Sequence, residues 1–377
     1  MEKHLHIIDF TVPYPVNHGG LFDLFYKLPA LQQQGVKIHL HCFLYNNTTQ
    51  HILNQYCHSV QYYQRISGHK ALSLHLPYIV SSRINEKLLQ NLLENDYPIL
   101  MEGIHTTYLL TDNRFKDRKK FVRIHNVEHL YYSDLAKTTK SYFKKIYYFR
   151  ESTLLKKHEN FIADKATAFW GVTNKDVTFY KTELQCKTID YLPVYLPESW
   201  QLQPLSPKGN YCLYQGDLSV AINEQAVLWL LEHVFSKINI PFVVAGKNPS
   251  AKLQSKIYEY NHCCLVGNPS EKEMQDMIVK AHIHVIYTES EAGIKLKLLN
   301  ALFNGRHCVS NPIGVKGSGL ETLCHIANDA SDFCTIIANL FNAPFTPDCT
   351  QMRKMILEKM FNNTRNAQQQ VAWIWGE

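Results

Sequence analysis

Short apolar runs alternate with amphipathic stretches along the whole chain. Ten runs have the length and composition of β-strands, namely His4–Phe10, Lys37–Phe43, Pro98–Glu102, Lys120–His125, Ala166–Val172, Tyr211–Gln215, Pro241–Ala245, Cys263–Val266, Ile283–Tyr287 and His307–Ser310. Between them, stretches with helical spacing of apolar residues include Gly20–Gln34, Ser141–Ile162, Asn223–Phe235, Glu271–Val279 and Ile294–Asn304. Strands that alternate with helices predict an α/β protein, with parallel sheets covered by helices on both faces.

The proline-rich segment Leu192–Gly209 divides this pattern into two halves. It holds four prolines, and a new strand follows it at Tyr211. A chain of 377 residues is also longer than one hydrophobic core usually organises. We therefore predict a first domain at residues 1–195, a second at residues 205–360, and a C-terminal helix at residues 361–377 that returns to the first domain.

The composition indicates a soluble protein with anionic partners. Hydrophobic residues make up 45% and charged residues 19% of the chain, no apolar run is long enough to span a membrane, and the ten cysteines form no CxxC pair. We expect reduced thiols and a cytoplasmic location. The formal charge of +6 favours anionic substrates or an anionic membrane surface over nucleic acid.

The segment Ser141–Lys157, SYFKKIYYFRESTLLKK, mixes aromatic and cationic residues on one predicted helix. Two interpretations stay open. The aromatics are core residues and the lysines are solvated, or the helix lies against an anionic membrane, at the inner face of the cell membrane.

The segment Glu289–Gly317 carries the strongest chemical signal. It predicts a strand, a glycine turn and a helix that opens at Gly293 and ends at Gly305, a glycine in the C′ position that helices favour. Lys295 and Lys297 stand in the first turns, expected near solvent, where the helix dipole disfavours positive charge. A bound anion would compensate, and two solvated lysines are the alternative.

Other candidates stand at the carboxyl ends of predicted strands, where ligands of such sheets bind. Paired glycines let the backbone approach a phosphate or sugar, and a histidine can bond a hydroxyl or move a proton. Each position also has a structural interpretation, as a tight turn, a backbone-bonded histidine or a solvated lysine. The candidates are Gly19 and Gly20 in PYPVNHGG, His105, His125, Gly216, Gly246 and Lys247. No D-x-D triplet, metal-ligand spacing, GxGxxG or Walker motif occurs, so no metal, NAD or P-loop site is expected.

Several segments in order over residues 10–320 resemble the retaining family-4 glycosyltransferases of the GT-B fold, in a bacterial glycan-biosynthesis subgroup. They are PYPVNHGG, RIHNVEHLYYSDLAK, ESTLLKKHENFIADKATAFWGVTNKD, YQGDLSVAINEQAVLWLLEHVF and AGIKLKLLNALFNGRHCVSNPIGVKG. The resemblance implies two Rossmann-like domains whose parallel sheets face a central cleft. It also implies a hexosyltransferase-type enzyme that moves a sugar from a UDP- or GDP-linked donor to a glycan or lipid-linked acceptor, with retention and without a metal.

The resemblance also assigns roles to particular residues. His125, Lys295 and Lys297 would be catalytic, with His125 beside the transferred sugar. The remaining residues would bind the donor: Gly19, Gly20, Gly216, Lys247, Gly293, Ile294 and Asn300.

This chain departs from the family pattern at three places, one of which is the segment LPVYLPES, where the usual N-G-V-D linker signature is absent. Asn300 stands where many members have the second glutamate of an E-x7-E pair, and Asp217 and Asn223 stand where many have an arginine and a lysine. Two other functions therefore stay open, a non-catalytic scaffold subunit of a glycan-assembly complex and a GT-B sugar-nucleotide epimerase.

Overall fold

The computed structural model of the protein describes residues 2–16, 19–44, 48–139, 141–202 and 205–376. The chain divides into two compact units. The first comprises Met1–Pro197, Ala292–Ile294 and Phe361–Glu377, and the second comprises Glu198–Glu291 and Lys295–Met360. Part of the glycine loop PYPVNHGG, Asn17 and His18, lies outside the described residues.

The first unit is built on a parallel sheet of seven strands in the order β3-β2-β1-β4-β5-β6-β7. The strands are β1 (Lys3–Asp9), β2 (Val36–Leu44), β3 (Ser59–Gln64), β4 (Ile99–Glu102), β5 (Lys120–Ile124), β6 (Ala168–Gly171) and β7 (Ile189–Tyr191). The helices are α1 (Gly19–Gln33), α2 (Tyr78–Ser81), α3 (Glu86–Leu93), α4 (Glu128–Thr138), α5 (Tyr142–Ile162), α6 (Asn174–Thr182) and α14 (Asn363–Trp375), with 3-10 turns at His51–Gln55, Gly68–Ala71, Ile104–Thr111 and Asn113–Phe115.

The C-terminal helix α14 belongs to the core of the first unit. Val371 and Ile374 are buried in the same apolar cluster as Leu24 of α1. Trp373 stacks on Trp170 of β6 with ring centroids 5.7 Å apart. The last helix therefore covers one face of the sheet that the N-terminal strands build.

The second unit has a parallel sheet of six strands in the order β10-β9-β8-β11-β12-β13. The strands are β8 (Cys212–Asp217), β9 (Phe242–Lys247), β10 (Cys263–Gly267), β11 (Ile283–Ile286), β12 (His307–Ser310) and β13 (His325–Ile326). The helices are α7 (Ala221–Leu230), continued by a π-helical turn at Leu231–Phe235, α8 (Ala251–Ile257), α9 (Glu271–Lys280), α10 (Leu296–Asn304), α11 (Pro312–Val315), α12 (Ala330–Asn342) and α13 (Pro347–Met360), with a 3-10 turn at Glu321–Leu323.

The prediction of two Rossmann-like α/β domains with parallel sheets is confirmed. In each sheet the strand order reverses at one place, between β1 and β4 in the first and between β8 and β11 in the second. Open parallel sheets bind ligands at such reversals, outside the carboxyl ends of the strands. We therefore expect ligand-binding residues at these two places. No helix of the described chain has the length and apolar character needed to cross a membrane.

The helix predicted to open at Gly293 and end at Gly305 starts later than predicted, whereas its observed last residue, Asn304, agrees with the predicted end. Gly293 has a left-handed φ of 56°, so the helix starts only at Leu296, with Lys295 as an extended N-cap. Gly305 is extended rather than left-handed. A Cβ at Gly305 would lie 2.0 Å from Nε2 of the buried His284, so tight packing requires this glycine, and helix capping does not.

Candidate functional site

Lys297 of α10 reaches the strand-order reversal of the second sheet. Its ammonium donates to the hydroxyl of Tyr214 at 3.0 Å and to Oδ1 of Asn223 at 3.1 Å. The same ammonium lies 4.4 Å from the centroid of the Tyr214 ring. Tyr214 belongs to β8 and Asn223 to α7, so these three side chains join a strand and the two helices beside the reversal.

The ammonium of Lys297 lacks a carboxylate partner. Among residues 205–376, its hydrogen bonds go to neutral oxygens, and no Asp or Glu lies within ion-pair distance. Burial, and secondly the charge of Lys295, lower the pKa of Lys297 to about 7. The expectation that this lysine lies near solvent is wrong, because its side chain is half-buried against Tyr214. A bound anion would supply the missing counter-charge.

Two predicted glycines lie on the strands next to Asn223, the partner of this lysine: Gly216 lies against Asn223, and Gly246 lies against Gly216. Gly216 of β8 pairs in register with Gly246 of β9. A Cβ at Gly246 would lie 1.9 Å from the carbonyl oxygen of Gly216, and one at Gly216 would lie 3.4 Å from the Asn223 side chain. Because both positions are glycine, the backbone next to Asn223 is not covered by side chains. Asn223 accepts a hydrogen bond from the ammonium of Lys297.

The structure places two predicted binding residues apart from these contacts. Lys247 is exposed at the end of β9, opposite Asp217 in the strand register. Asn300 accepts a hydrogen bond from Asn304, one turn further along α10, at 2.8 Å. Within residues 205–376, the side-chain hydrogen bonds of Lys297 go to Tyr214 and Asn223 and not to Lys247 or Asn300.

In the first unit, His125 stands at the carboxyl end of β5, beside the strand-order reversal. Its Nε2 lies 3.4 Å from Oδ2 of Asp23 and 3.4 Å from Oε2 of Glu102. A Cβ at Gly20 would lie 3.5 Å from Nδ1 of the same ring. The sequence-predicted Gly20 and His125 therefore meet, and Gly19 begins the helix that carries Gly20.

Two further cations complete a buried charge network. Arg123 donates from Nε to Oδ2 of Asp23 at 2.8 Å. Lys27 lies 3.2 Å from Oδ2 of Asp23 and 2.5 Å from Oε1 of Glu102. Both carboxylates and both cationic side chains are fully buried.

The network sets the protonation states of its members. Burial opposes the carboxylate of Asp23, but the charges of Arg123 and Lys27 outweigh it and hold its pKa well below the usual value. Burial likewise opposes the imidazolium of His125, but the nearby carboxylates of Asp23 and Glu102 outweigh it and raise its pKa. The two carboxylates therefore favour the protonated form of the ring.

The same three residues have the ligand types of a metal site. Ligand atoms of Asp23, Glu102 and His125 all lie within 4.8 Å of one another. Arg123 and Lys27 already neutralise both carboxylates, so a divalent cation there would face two fixed positive charges. The charge distribution disfavours a metal ion at this position.

The glycine turn before α10 lies against this group. By its contacts the segment Ala292–Ile294 clusters with the first unit. A Cβ at Gly293 would lie 2.5 Å from Oδ1 of Asn126 and 3.1 Å from the carbonyl oxygen of His125. Ile294 is half-buried in the same turn.

A second buried acidic group follows His125 along the chain. Glu159 of α5 accepts hydrogen bonds from the backbone N–H groups of Glu128 and His129, at 2.9 and 3.1 Å, and so satisfies the start of α4. Burial, and secondly the charge of Glu159, raise the pKa of Glu128 to about 7. Glu128 is thus a buried carboxyl that can exchange a proton near neutral pH.

Sequence reasoning did not single out the buried charged residues of these two groups, namely Asp23, Lys27, Glu102, Arg123 and Glu128. A signal existed for two of them, because Glu102 and Arg123 are charged residues near the ends of apolar strands, in ILME and FVRI. Such a residue is buried beside the carboxyl edge of the sheet and needs a partner. Asp23 and Lys27 carried no such signal within α1.

Comparison with known proteins gives a family match over part of the chain and a relative that covers most of it. Residues 209–343, within the second unit, match the family model described as glycosyl transferases group 1. A protein named "Uncharacterized 44.6 kDa protein in cps region" from Klebsiella pneumoniae is 28% identical over 356 residues, which cover 88% of this chain and 89% of that protein.

Solved structures show the same fold at low identity. Anabaena HepE in complex with UDP and glucose has a TM-score of 0.67 and 11% identity, over 100% of both chains. A mutant of TarM from S. aureus in a complex that contains UDP has a TM-score of 0.70 and 11% identity, over 99% of this chain and 100% of that one. Sucrose-phosphate synthase from Thermosynechococcus elongatus has a TM-score of 0.72 and 14% identity, over 98% and 97%.

The fold is GT-B, as the sequence predicted. Together with the match of residues 209–343 to the model for glycosyl transferases group 1, this fold supports a transferase enzyme.

Proposed function

We propose that the chain transfers a sugar from a UDP- or GDP-linked donor to a glycan or lipid-linked acceptor during bacterial polysaccharide assembly. The group 1 family match supports sugar transfer. The relative in the cps region supports a role in polysaccharide synthesis. Neighbours bound to UDP or UDP-glucose support a nucleotide sugar as donor. The ten unpaired cysteines support a cytoplasmic location.

The observation that carries this proposal is the half-buried ammonium of Lys297 with only neutral partners. Helix α10 starts beside it without a side-chain cap and without an acidic residue in its first turn. Backbone N–H groups at such a start attract an anion. A donor diphosphate bound there would accept from the helix start and pair with Lys297 and Lys295.

The same arrangement suits the chemical step. When the glycosidic bond to the donor breaks, negative charge develops on the leaving diphosphate. Lys297 and Lys295 would carry that charge without a metal, as the resemblance to retaining family-4 enzymes implies. His125 would position the donor sugar, because its Nε2 lies 3.4 Å from a carboxylate oxygen of Asp23 and 3.4 Å from one of Glu102, and both groups favour the protonated ring.

One experiment separates this function from its alternatives. The full chain is tested by thermal shift with UDP-, GDP- and CMP-sugars, and turnover is followed by NMR of the anomeric proton with and without EDTA. Stabilisation by one donor class, slow release of sugar with retained configuration and no effect of EDTA would support the proposal.

Each other outcome points elsewhere. Binding without turnover, even with a native acceptor, would favour the scaffold function, which the neutral Asn300 motivates. Conversion of the free sugar nucleotide into an epimer would favour the epimerase. Absence of stabilisation by every nucleotide would overturn all of these functions.

A further inference from the structure

The first half of α5 exposes large apolar side chains on one face. The exposed fractions are 73% for Tyr142, 84% for Phe143, 52% for Ile146 and 70% for Phe149. Residues three and four apart lie on the same face of a helix, so these side chains form one stripe. The sequence-based interpretation of these aromatics as core residues is therefore wrong, whereas Leu154 and Leu155 further along the helix are buried.

This stripe borders a groove between α4 and α5. The groove has a volume of about 600 Å³. Its lining includes Ala136, Tyr142, Ile146 and Phe149, and the ammonium-bearing side chains of Lys137 and Lys145 stand at its sides. The groove between α4 and α5 is therefore mainly apolar and includes lysine side chains in its lining.

A neighbouring loop adds two more exposed apolar residues. Leu72 is 56% and Leu74 is 83% exposed. Arg150 donates a hydrogen bond to the carbonyl oxygen of Ser73, between them. The loop is therefore tied to α5 at the residue after Phe149.

Positive charge predominates beside the middle of the stripe. At its two ends the charges are balanced, because Lys137 pairs with Asp134 at 3.3 Å and Arg150 pairs with Glu151 at 2.6 Å. Lys144 and Lys145 are both exposed. Contiguous exposed apolar area is rare on a soluble monomer unless it binds something, and the cations select a negatively charged occupant.

We propose that Tyr142, Phe143, Lys144, Lys145, Ile146 and Phe149, the α5 patch, dock the protein on an anionic lipid bilayer. A helix with aromatics on one face and lysines beside them lies in the interface, with its rings among the headgroups. Each lysine adds attraction to anionic lipid. The inference stands apart from the proposed donor chemistry, which uses Lys295, Lys297 and His125 and no residue of the α5 patch.

Co-sedimentation with vesicles tests the proposal. The full chain is mixed with phosphatidylcholine vesicles with or without phosphatidylglycerol. We expect binding only to the anionic vesicles, weakening as salt is added. The double variant K144E/K145E should bind at least about 25-fold more weakly, since each lysine contributes about fivefold. F143S/F149S should lose at least about tenfold, because two buried rings are removed from the contact.

Matched controls lie on the same helix. Phe161 is 55% exposed, and Lys156 and Lys157 are exposed, all beyond the α5 patch. F161S and K156E/K157E carry the same chemical changes and should bind as wild type does. Nucleotide binding by every variant, measured in parallel, should stay unchanged, which also reports that each variant is folded.

Three results would overturn the proposal. The first is equal binding to neutral and anionic vesicles, and the second is equal loss of binding in the control variants. The third comes from light scattering of the free protein. If wild type is a dimer that F143S/F149S converts to monomer, while vesicle binding is unaffected, a second copy of the chain covers the α5 patch instead of a membrane.

Discussion

The half-buried Lys297 predicts an unusual pH dependence of nucleotide binding. Its pKa in the free protein is about 7, lowered from the ordinary 10.5 by burial and by Lys295. A diphosphate bound at the ammonium would favour the charged form and raise this pKa again. Binding should therefore take up a proton at neutral pH and weaken as pH rises. The substitution Lys297→Gln removes the titrating group while keeping a polar side chain of similar length.

The size of the effect follows from that pKa. With a pKa of about 7, the protonated fraction falls from about a half at pH 7 to about a hundredth at pH 9. Affinity of the wild type for UDP or GDP should then fall about 50-fold between pH 7 and pH 9. Lys297→Gln should bind about 10- to 100-fold more weakly at pH 7, for loss of a charge-assisted contact, and change little with pH.

The same titration gives the stability of the free protein a defined sign. The folded-state pKa of Lys297 lies below that of the unfolded chain, so between about pH 7 and 10.5 the unfolded state holds the extra proton. The contribution of Lys297 to the free energy of unfolding therefore rises with pH over this window. In Lys297→Gln this contribution should be absent.

Calorimetry at constant ionic strength measures the binding prediction. UDP and GDP are titrated into wild type and Lys297→Gln between pH 7 and pH 9, where a terminal phosphate with a pKa of about 6 is already ionised. Lys272→Gln, an exposed lysine on α9, is the matched control and should behave as wild type. A pH-independent affinity of the wild type, or the same slope in Lys297→Gln, would refute this assignment of the diphosphate site.

Three further predictions follow from buried contacts. His125→Asn should leave nucleoside-diphosphate affinity unchanged and lower turnover about 10²-fold or more, and parallel losses of stability and affinity would contradict the positioning role. Asp23→Asn removes the carboxylate that pairs with the buried Arg123 and Lys27, and it should lower the free energy of unfolding by about 3–5 kcal/mol in urea titrations. The control Asp112→Asn removes a carboxylate that pairs with Arg114 at the surface, and it should cost under about 1 kcal/mol. Gly305→Ala and Gly305→Asn should both destabilise by about 1–3 kcal/mol or more, because either Cβ meets His284, and a well-tolerated asparagine would instead indicate a left-handed cap.

The sequence determined the fold class, because burial on both faces makes the central strands of a parallel sheet continuously apolar. The strand predicted at His307–Ser310 is observed with the same bounds. The helix predicted at Ser141–Ile162 is observed at Tyr142–Ile162, so it begins one residue later than predicted. The strands that the pattern missed, β3, β7 and β13, all lie at sheet edges. Edge strands are half-exposed and short, so they carry polar residues and a weak periodic signal.

For the candidate site, the sequence singled out positions but not their partners. It indicated Lys297 because the helix dipole disfavours a lysine in the first turns of a helix. It indicated His125 because this histidine stands at the carboxyl end of a predicted strand. Only the tertiary structure decided that Lys297 meets Tyr214, some eighty residues earlier in the chain, and that His125 lies between Asp23 and Glu102. Strand order brings these residues together, and strand order depends on long-range pairing that local patterns do not encode.

The exposed face of α5 shows the same division. The mixture of aromatics and lysines in SYFKKIYYF is visible in the sequence, but two interpretations fit it equally. Whether a helical face is core or surface depends on what packs against it, because a helix pattern specifies a stripe and not its neighbour. The tertiary fold buries Leu154 and Leu155 in the second half of α5 and leaves Phe143 and Phe149 in the first half exposed to solvent.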